Sequence, residues 1–314
     1  MPHPTCPPLP SHRWRHVASL LPVAVLAAGC AGSGDARRAD TAAPADVPPA
    51  VVAPDTAATV APPTIPTGSF AYAHADGRQL LAVDSLFPPT AVRWAICPGA
   101  AVLPVRHAGR QPGDAGDTGR QHAANFVHQA GERFVVTAGR AAPDASCYLT
   151  ADSVLAATVL PPVATRAATC PPALRARLAE AEGRAVQGCW PMAAVAPGVT
   201  VAMAQFATVG REALAVMAVL DHDTLRLDRH PATVERPGQD LWRVDDQGVF
   251  HPEDFRVLFA ARRGGALVVA VSWMGAEGEN LFLLAPGADP RGEAPLSGAA
   301  WGRWHRSYRY LAPA

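Results

Sequence analysis

Lysine is absent from this 314-residue chain, so all 27 basic side chains are arginine. Schiff-base chemistry, Ser–Lys dyads and Walker-type phosphate loops each need a lysine amine, and all three are excluded. Isoleucine and asparagine are scarce, with two each (Ile65, Ile96; Asn125, Asn280), while alanine, proline, glycine and arginine abound. That bias fits a GC-rich coding sequence and carries no functional message. The formal net charge is zero, without the basic footprint of a nucleic-acid-binding protein. No G-x-S-x-G, H-E-x-x-H or G-x-G-x-x-G occurs. Catalytic triads are set by geometry and not by spacing, so these absences do not exclude an enzyme.

What is present begins with an address. Residues 1–29 hold no acidic side chain, Arg13 and Arg15 make the start basic, and residues 17–28 are uncharged and mostly apolar. The run is shorter than the roughly 20 residues of a membrane-spanning helix and fits the core of a secretory leader. It closes on Leu26, Ala27, Ala28, Gly29 and Cys30. This segment resembles the lipobox of bacterial lipoproteins: small residues flank the cut, and the Cys30 thiol takes the lipid. It departs at Ala27, where these proteins usually carry leucine. The resemblance covers only the first 30 residues. It implies a mature chain that starts at lipidated Cys30 and is held to a membrane by acyl chains such as palmitate. Each buried CH₂ of such chains contributes about 0.8 kcal/mol. Ala31 in place of aspartate implies the outer membrane. Without residues 1–29 the chain keeps 25 Arg against 27 Asp plus Glu, a net charge of −2.

Cys6 leaves with the leader, and Cys97, Cys147, Cys170 and Cys189 remain, an even number for an oxidising compartment. Of three pairings, Cys97–Cys147 and Cys170–Cys189 are favoured, because each closes within one expected domain. No C-x-x-C pair supports zinc. Residues 30–66, rich in Ala, Pro, Asp and Thr and without aromatics, read as a lipidated disordered tether. Residues 67–162 and 163–314 read as two small antiparallel β domains. The fold class is mainly β with one short helix, α+β being the alternative. Predicted strands in the first domain are 70–73, 79–83, 91–97, 101–105, 126–128, 133–137 and 147–157, with a polar loop between His107 and His122. Pro171 and Pro172, then Leu174, Leu178 and Ala181 at helical spacing, then Gly183, predict the helix. Strands follow over 199–206, 213–220, 224–228, 241–244, 249–250, 255–261, 266–274, 280–284 and 301–311.

The densest polar cluster is Asp221, His222 and Asp223, with Asp228 and His230 beyond it. It suits a hairpin turn and a solvated strand face; acid–base or metal chemistry is the sharper alternative. His107, His122 and His128 flank the polar loop without a ligand spacing. Asp245, Asp246, Gln247 and Gly248, near Glu253 and Asp254, read as a turn because EF-hand spacing fails. Glu277 and Glu279 read as the soluble tip of a hairpin. No cofactor or metal is expected. Trp304, Arg306, Tyr308 and Tyr310 alternate in the last strand and would share one face, a candidate binding patch for protein or glycan. The leading expectation is a non-enzymatic envelope lipoprotein with such a partner. The alternatives are a secreted hydrolase using Asp221, His222, Asp223 and His230, and an inhibitor of lysozyme or protease.

Overall fold

The computed structural model describes residues 68–84, 88–165, 169–236, 239–241, 250–275, 277–286 and 301–311. The expected leader, Cys30, the tether and the 245–248 turn lie outside them. The first six strands are β1 (Gly68–Ala73), β2 (Gln79–Ala82), β3 (Trp94–Cys97), β4 (Ala101–Gln111), β5 (Gly131–Val136) and β6 (Ser146–Thr150). They close an antiparallel barrel in the order β1-β2-β5-β4-β3-β6. Its interior combines Ala71, Ala73, Ala82 and Ala95 with Leu80, Phe134 and Leu149, small residues leaving room for large ones as a narrow barrel requires. The Cys97–Cys147 disulfide joins β3 to β6 inside this core.

Two expectations fail here for local reasons. Phe126–His128 is a turn, not a strand. It belongs to a loop that Asp114 and Asp117 fold by accepting the N–H groups of Gly116 and Gly119 at 2.7 and 2.8 Å. The loop sets buried Phe126 edge-on against Tyr72, with ring centroids 5.5 Å apart. The predicted run 147–157 divides at Thr150. Asp152 Oδ1 accepts the Leu155 N–H at 3.0 Å and starts the short helix α1 (Ser153–Ala157).

The rest of the chain supplies β7 (Val159–Leu160), β8 (Val163–Ala164), α2 (Pro172–Glu182), β9 (Val186–Ala196), β10 (Val199–Phe206), β11 (Glu212–Asp221), β12 (Thr224–Arg236), β13 (Gln239–Leu241), β14 (Phe255–Arg263), β15 (Ala266–Met274), β16 (Gly278–Pro286) and β17 (Trp301–Tyr310). Two antiparallel sheets result, ordered β13-β12-β11-β10-β9-β8 and β17-β16-β15-β14-β7. They face each other across a core of Val201, Met203, Met217, Val219, Val269, Val271 and Leu284. The far side of the five-stranded sheet packs on the barrel through Phe70, Ile96, Tyr148, Phe259, Ala270 and Leu283. The far side of the six-stranded sheet is covered by α2 through Leu174 and Leu178. Pro172 opens that helix and Gly183, at φ +63°, closes it as expected. The Cys170–Cys189 disulfide pins the helix approach to β9.

The fold is therefore mainly β, with α2 the one helix longer than seven residues among the described residues, and with both expected disulfides. Strand β7 precedes the expected division at 162/163, yet it pairs with β14 in the five-stranded sheet. The two bridges mark a protein of an oxidising, non-cytoplasmic compartment. Among the described residues, no helix is long and apolar enough to cross a membrane.

Candidate functional site

The acid and histidine cluster of the sequence comes apart in three dimensions. Asp221 pairs with Thr224, leaving His222 and Asp223 as a two-residue hairpin turn with His222 at φ +52°. His222 and Asp223 are exposed. Asp221 is buried and receives both Arg262 guanidinium N–H groups, at 2.7 and 3.0 Å. That bidentate pair holds its carboxyl below the usual range. His230 lies six residues beyond Thr224 on the same strand, roughly 20 Å at strand rise. The four residues of the expected hydrolase site do not converge.

A different group of polar side chains is brought together between the sheets. Asp228 and His230 alternate on the inner face of β12 and are 6% and 4% exposed. They are not on a solvated face, as the sequence suggested. Arg303 reaches across from β17. Its Nε donates to Asp228 Oδ1 at 2.7 Å, and its Nη2 donates to the Arg229 carbonyl at 3.1 Å. Nη2 also lies 3.1 Å from His230 Nδ1 and 3.3 Å from His230 Nε2. His230 Nε2 sits 3.0 Å from Asp228 Oδ2, a contact out of line for a hydrogen bond, so Oδ2 has no aligned donor. Phe255 and Trp273 meet the imidazole edge-on at 5.1 and 5.2 Å and stack on each other at 4.9 Å. Burial works against the charge on Asp228, but Arg303, and His230 once it is protonated in acid, outweigh it and hold the carboxyl at about 2. Burial lowers the His230 imidazole, with Asp228 opposing and Arg303 adding to the effect.

The other end of β17 binds the barrel. Arg309, 6% exposed, donates to the Gln121 carbonyl at 2.6 Å, to Asp144 Oδ1 at 2.6 Å and to Ser146 Oγ at 3.2 Å. Its guanidinium lies 5.1 Å from the Tyr72 ring centroid. Ser146 Oγ donates to Glu279 Oε2 at 2.5 Å. Glu279 is thus buried at the junction of barrel and sandwich and does not solubilise a hairpin tip. Neither network is legible in the sequence, because Arg303 and Arg309 meet partners 75 and 165 residues away.

The C-terminal patch is only partly as expected. A register shift between Leu281 and Leu283 interrupts the alternation, so Tyr308 pairs with Asn280 while Trp304 pairs with Leu283. Even spacing therefore does not put the four residues on one face. The side chain of Trp304 lies outside those described. Tyr308 is 41% exposed and Arg306 is half-buried. Tyr310 is half-buried with its ring 6.4 Å from that of Tyr308, and Arg120 stacks over it at 4.1 Å. Arg120 enters from the loop after β4, a partner that spacing along β17 could not reveal.

The remaining histidines separate. His107 Nε2 lies 2.7 Å from Glu132 Oε2, and His128 Nδ1 lies 2.9 Å from Asp114. Among the described residues, no three His, Cys, Asp or Glu side chains gather as a metal site. A groove of about 1310 Å³, open solvent included, runs between the end of α2 and the β11–β12 ladder. Its charges are matched pairs, Glu182 with Arg229 at 2.9 Å and Arg184 with Glu212 at 3.1 Å. No family model, curated protein or solved structure matches the chain. The described polar groups brace layers against one another, while Tyr308, Tyr310 and Arg120 offer stacking and hydrogen bonding at the surface.

Proposed function

We propose that this chain is a cell-envelope lipoprotein, held to the outer membrane by lipid on Cys30 and acting as a non-enzymatic binding or structural module for a protein or glycan partner. The observation that carries the reading is the basic-then-apolar leader ending in Leu26, Ala27, Ala28, Gly29 and Cys30. The four cysteines beyond it are all spent in two bridges, and with Cys6 leaving in the leader, Cys30 is the thiol for acylation. The partner surface is the Tyr308, Tyr310 and Arg120 group, where an aromatic pair and a guanidinium lie together at the end of β17. The hydrolase alternative is set aside, because its residues lie apart.

Metabolic labelling with an alkyne-bearing palmitate tests the anchor. The wild-type chain takes the label and partitions into the detergent phase; Cys30→Ala does neither. Equal labelling and partitioning of the two forms would remove the lipoprotein reading. Crosslinking of wild type and Tyr308→Ala from whole envelopes tests the surface. The expected result is a partner band lost in Tyr308→Ala while the lipid label persists.

A further inference from the structure

Strands β12 and β17 are edge-region strands of two different sheets, and no ladder joins them. Described side chains tie them together at Asp228, His230 and Arg303. Arg303 Nη2 stands 3.1 Å from His230 Nδ1 and 3.3 Å from Nε2, so the guanidinium lies against the ring between its two nitrogens. With the imidazole neutral, the site holds one carboxylate and one guanidinium, and its charges cancel. We propose that His230 is an acid-operated latch between the two sheets: a proton on its imidazole sets two cations against one carboxylate in a buried site and releases β17 from β12.

The step is a single protonation. Solvent supplies the proton, an N–H bond forms at the unprotonated ring nitrogen, and the ring beside the Arg303 guanidinium becomes a cation. The surroundings give the new charge little relief. Among the described residues of β12, Asp228 is the one carboxylate within reach; its Oδ2 stands 3.0 Å from Nε2 but out of line, and Arg303 already engages its Oδ1. Two positions back on that face, Arg226 is a further cation, near Asp221 and Arg262. From β14 and β15 the facing groups are Phe255 and Trp273, and from β16 Phe282 lies under Arg303 at 5.2 Å. From β11 the residue paired with His230 is Ala215. None of these four can take up charge. Burying an uncompensated cation is costly, and separation of the strands restores water to it. The lowered affinity of His230 for a proton agrees with this geometry. The latch stands on the packing of the two sheets and does not depend on the lipid anchor.

Amide hydrogen exchange on the full chain in detergent tests it, after correction for the intrinsic pH dependence of exchange. On going from about pH 7.5 to about pH 5, protection in β17 falls about tenfold in the wild type. In His230→Gln it changes less than about twofold, and barrel strand β5 is unchanged in both. Equal acid sensitivity of β17 in wild type and His230→Gln would overturn the proposal. So would unchanged protection at a pH where the His230 Cε1–H resonance reports the protonated ring. Should His230→Gln fail to fold, Arg303→Gln decides. With the guanidinium gone, the protonated ring faces Asp228 alone, and its resonance titrates at higher pH than in the wild type. Titration at the same or lower pH sinks the idea.

Discussion

Asp228 and His230 stand two residues apart on β12, and acid acts on both in the same direction. Each binds a proton less readily in the folded chain than at its ordinary value, Asp228 falling from 3.8 to about 2 and His230 lying below 6.5. The unfolded chain therefore holds more protons at acid pH, and stability falls as pH falls. The His230 share is complete above 6.5 and is lost as pH drops through its folded value. The Asp228 share is complete above 3.8 and is lost on the way to about 2. Asp228→Asn is expected to flatten the lower limb. At neutral pH it costs about 3–5 kcal/mol, since Arg303 loses its counter-charge in a largely dry site. Urea unfolding repeated across the acid range checks both effects.

Among the elements, β17 is the one that works on both sides. Arg303 on its first half joins the six-stranded sheet, and Arg309 on its second half joins the barrel. Gly278 on β16 lets the backbone of β17 approach closely beside that second half. A Cβ there would stand 2.2 Å from the Arg309 carbonyl oxygen and 2.8 Å from the Tyr308 hydroxyl. Gly278→Ala is therefore expected to destabilise by about 1–3 kcal/mol, as forced overpacking does. The urea midpoint should fall with an unchanged slope. Legibility in the sequence followed burial. Strands β10 and β15 were found at 199–206 and 266–274 because β-branched and apolar residues fill them almost without interruption. Strand β9 was missed: Gln187, Gly188 and Pro191 break any apolar run, and its pairing with β10 is irregular. Phe126 passed for a strand residue, but its burial comes from a loop folded onto Tyr72. The two arginine networks were illegible, because the partners of Arg303 and Arg309 lie 75 and 165 residues away.

At the scale of the molecule, each disulfide staples one half of the layered stack. The Cys170–Cys189 bridge closes a 19-residue separation and Cys97–Cys147 one of 50. Constraint of the unfolded chain then contributes about 3 and about 4 kcal/mol. Replacing either pair by alanine should lower stability by those amounts, with the larger loss for the barrel, as chemical denaturation would measure. The pairing followed from assigning each bridge to one half of the chain. The order of the layers did not, since nothing in the apolar pattern of β14, β15 or β16 says which neighbour covers which face.

The layout also dictates a schedule for a polypeptide made from its N-terminus. Every ladder partner of the barrel has emerged once Thr150 is out, whereas Leu160 must wait for Ala260, and β16 for the closing strand that ends at Tyr310. A chain cut short between those points presents a finished cylinder beside a half-built sandwich with bare edges, the form that proteases and chaperones recognise.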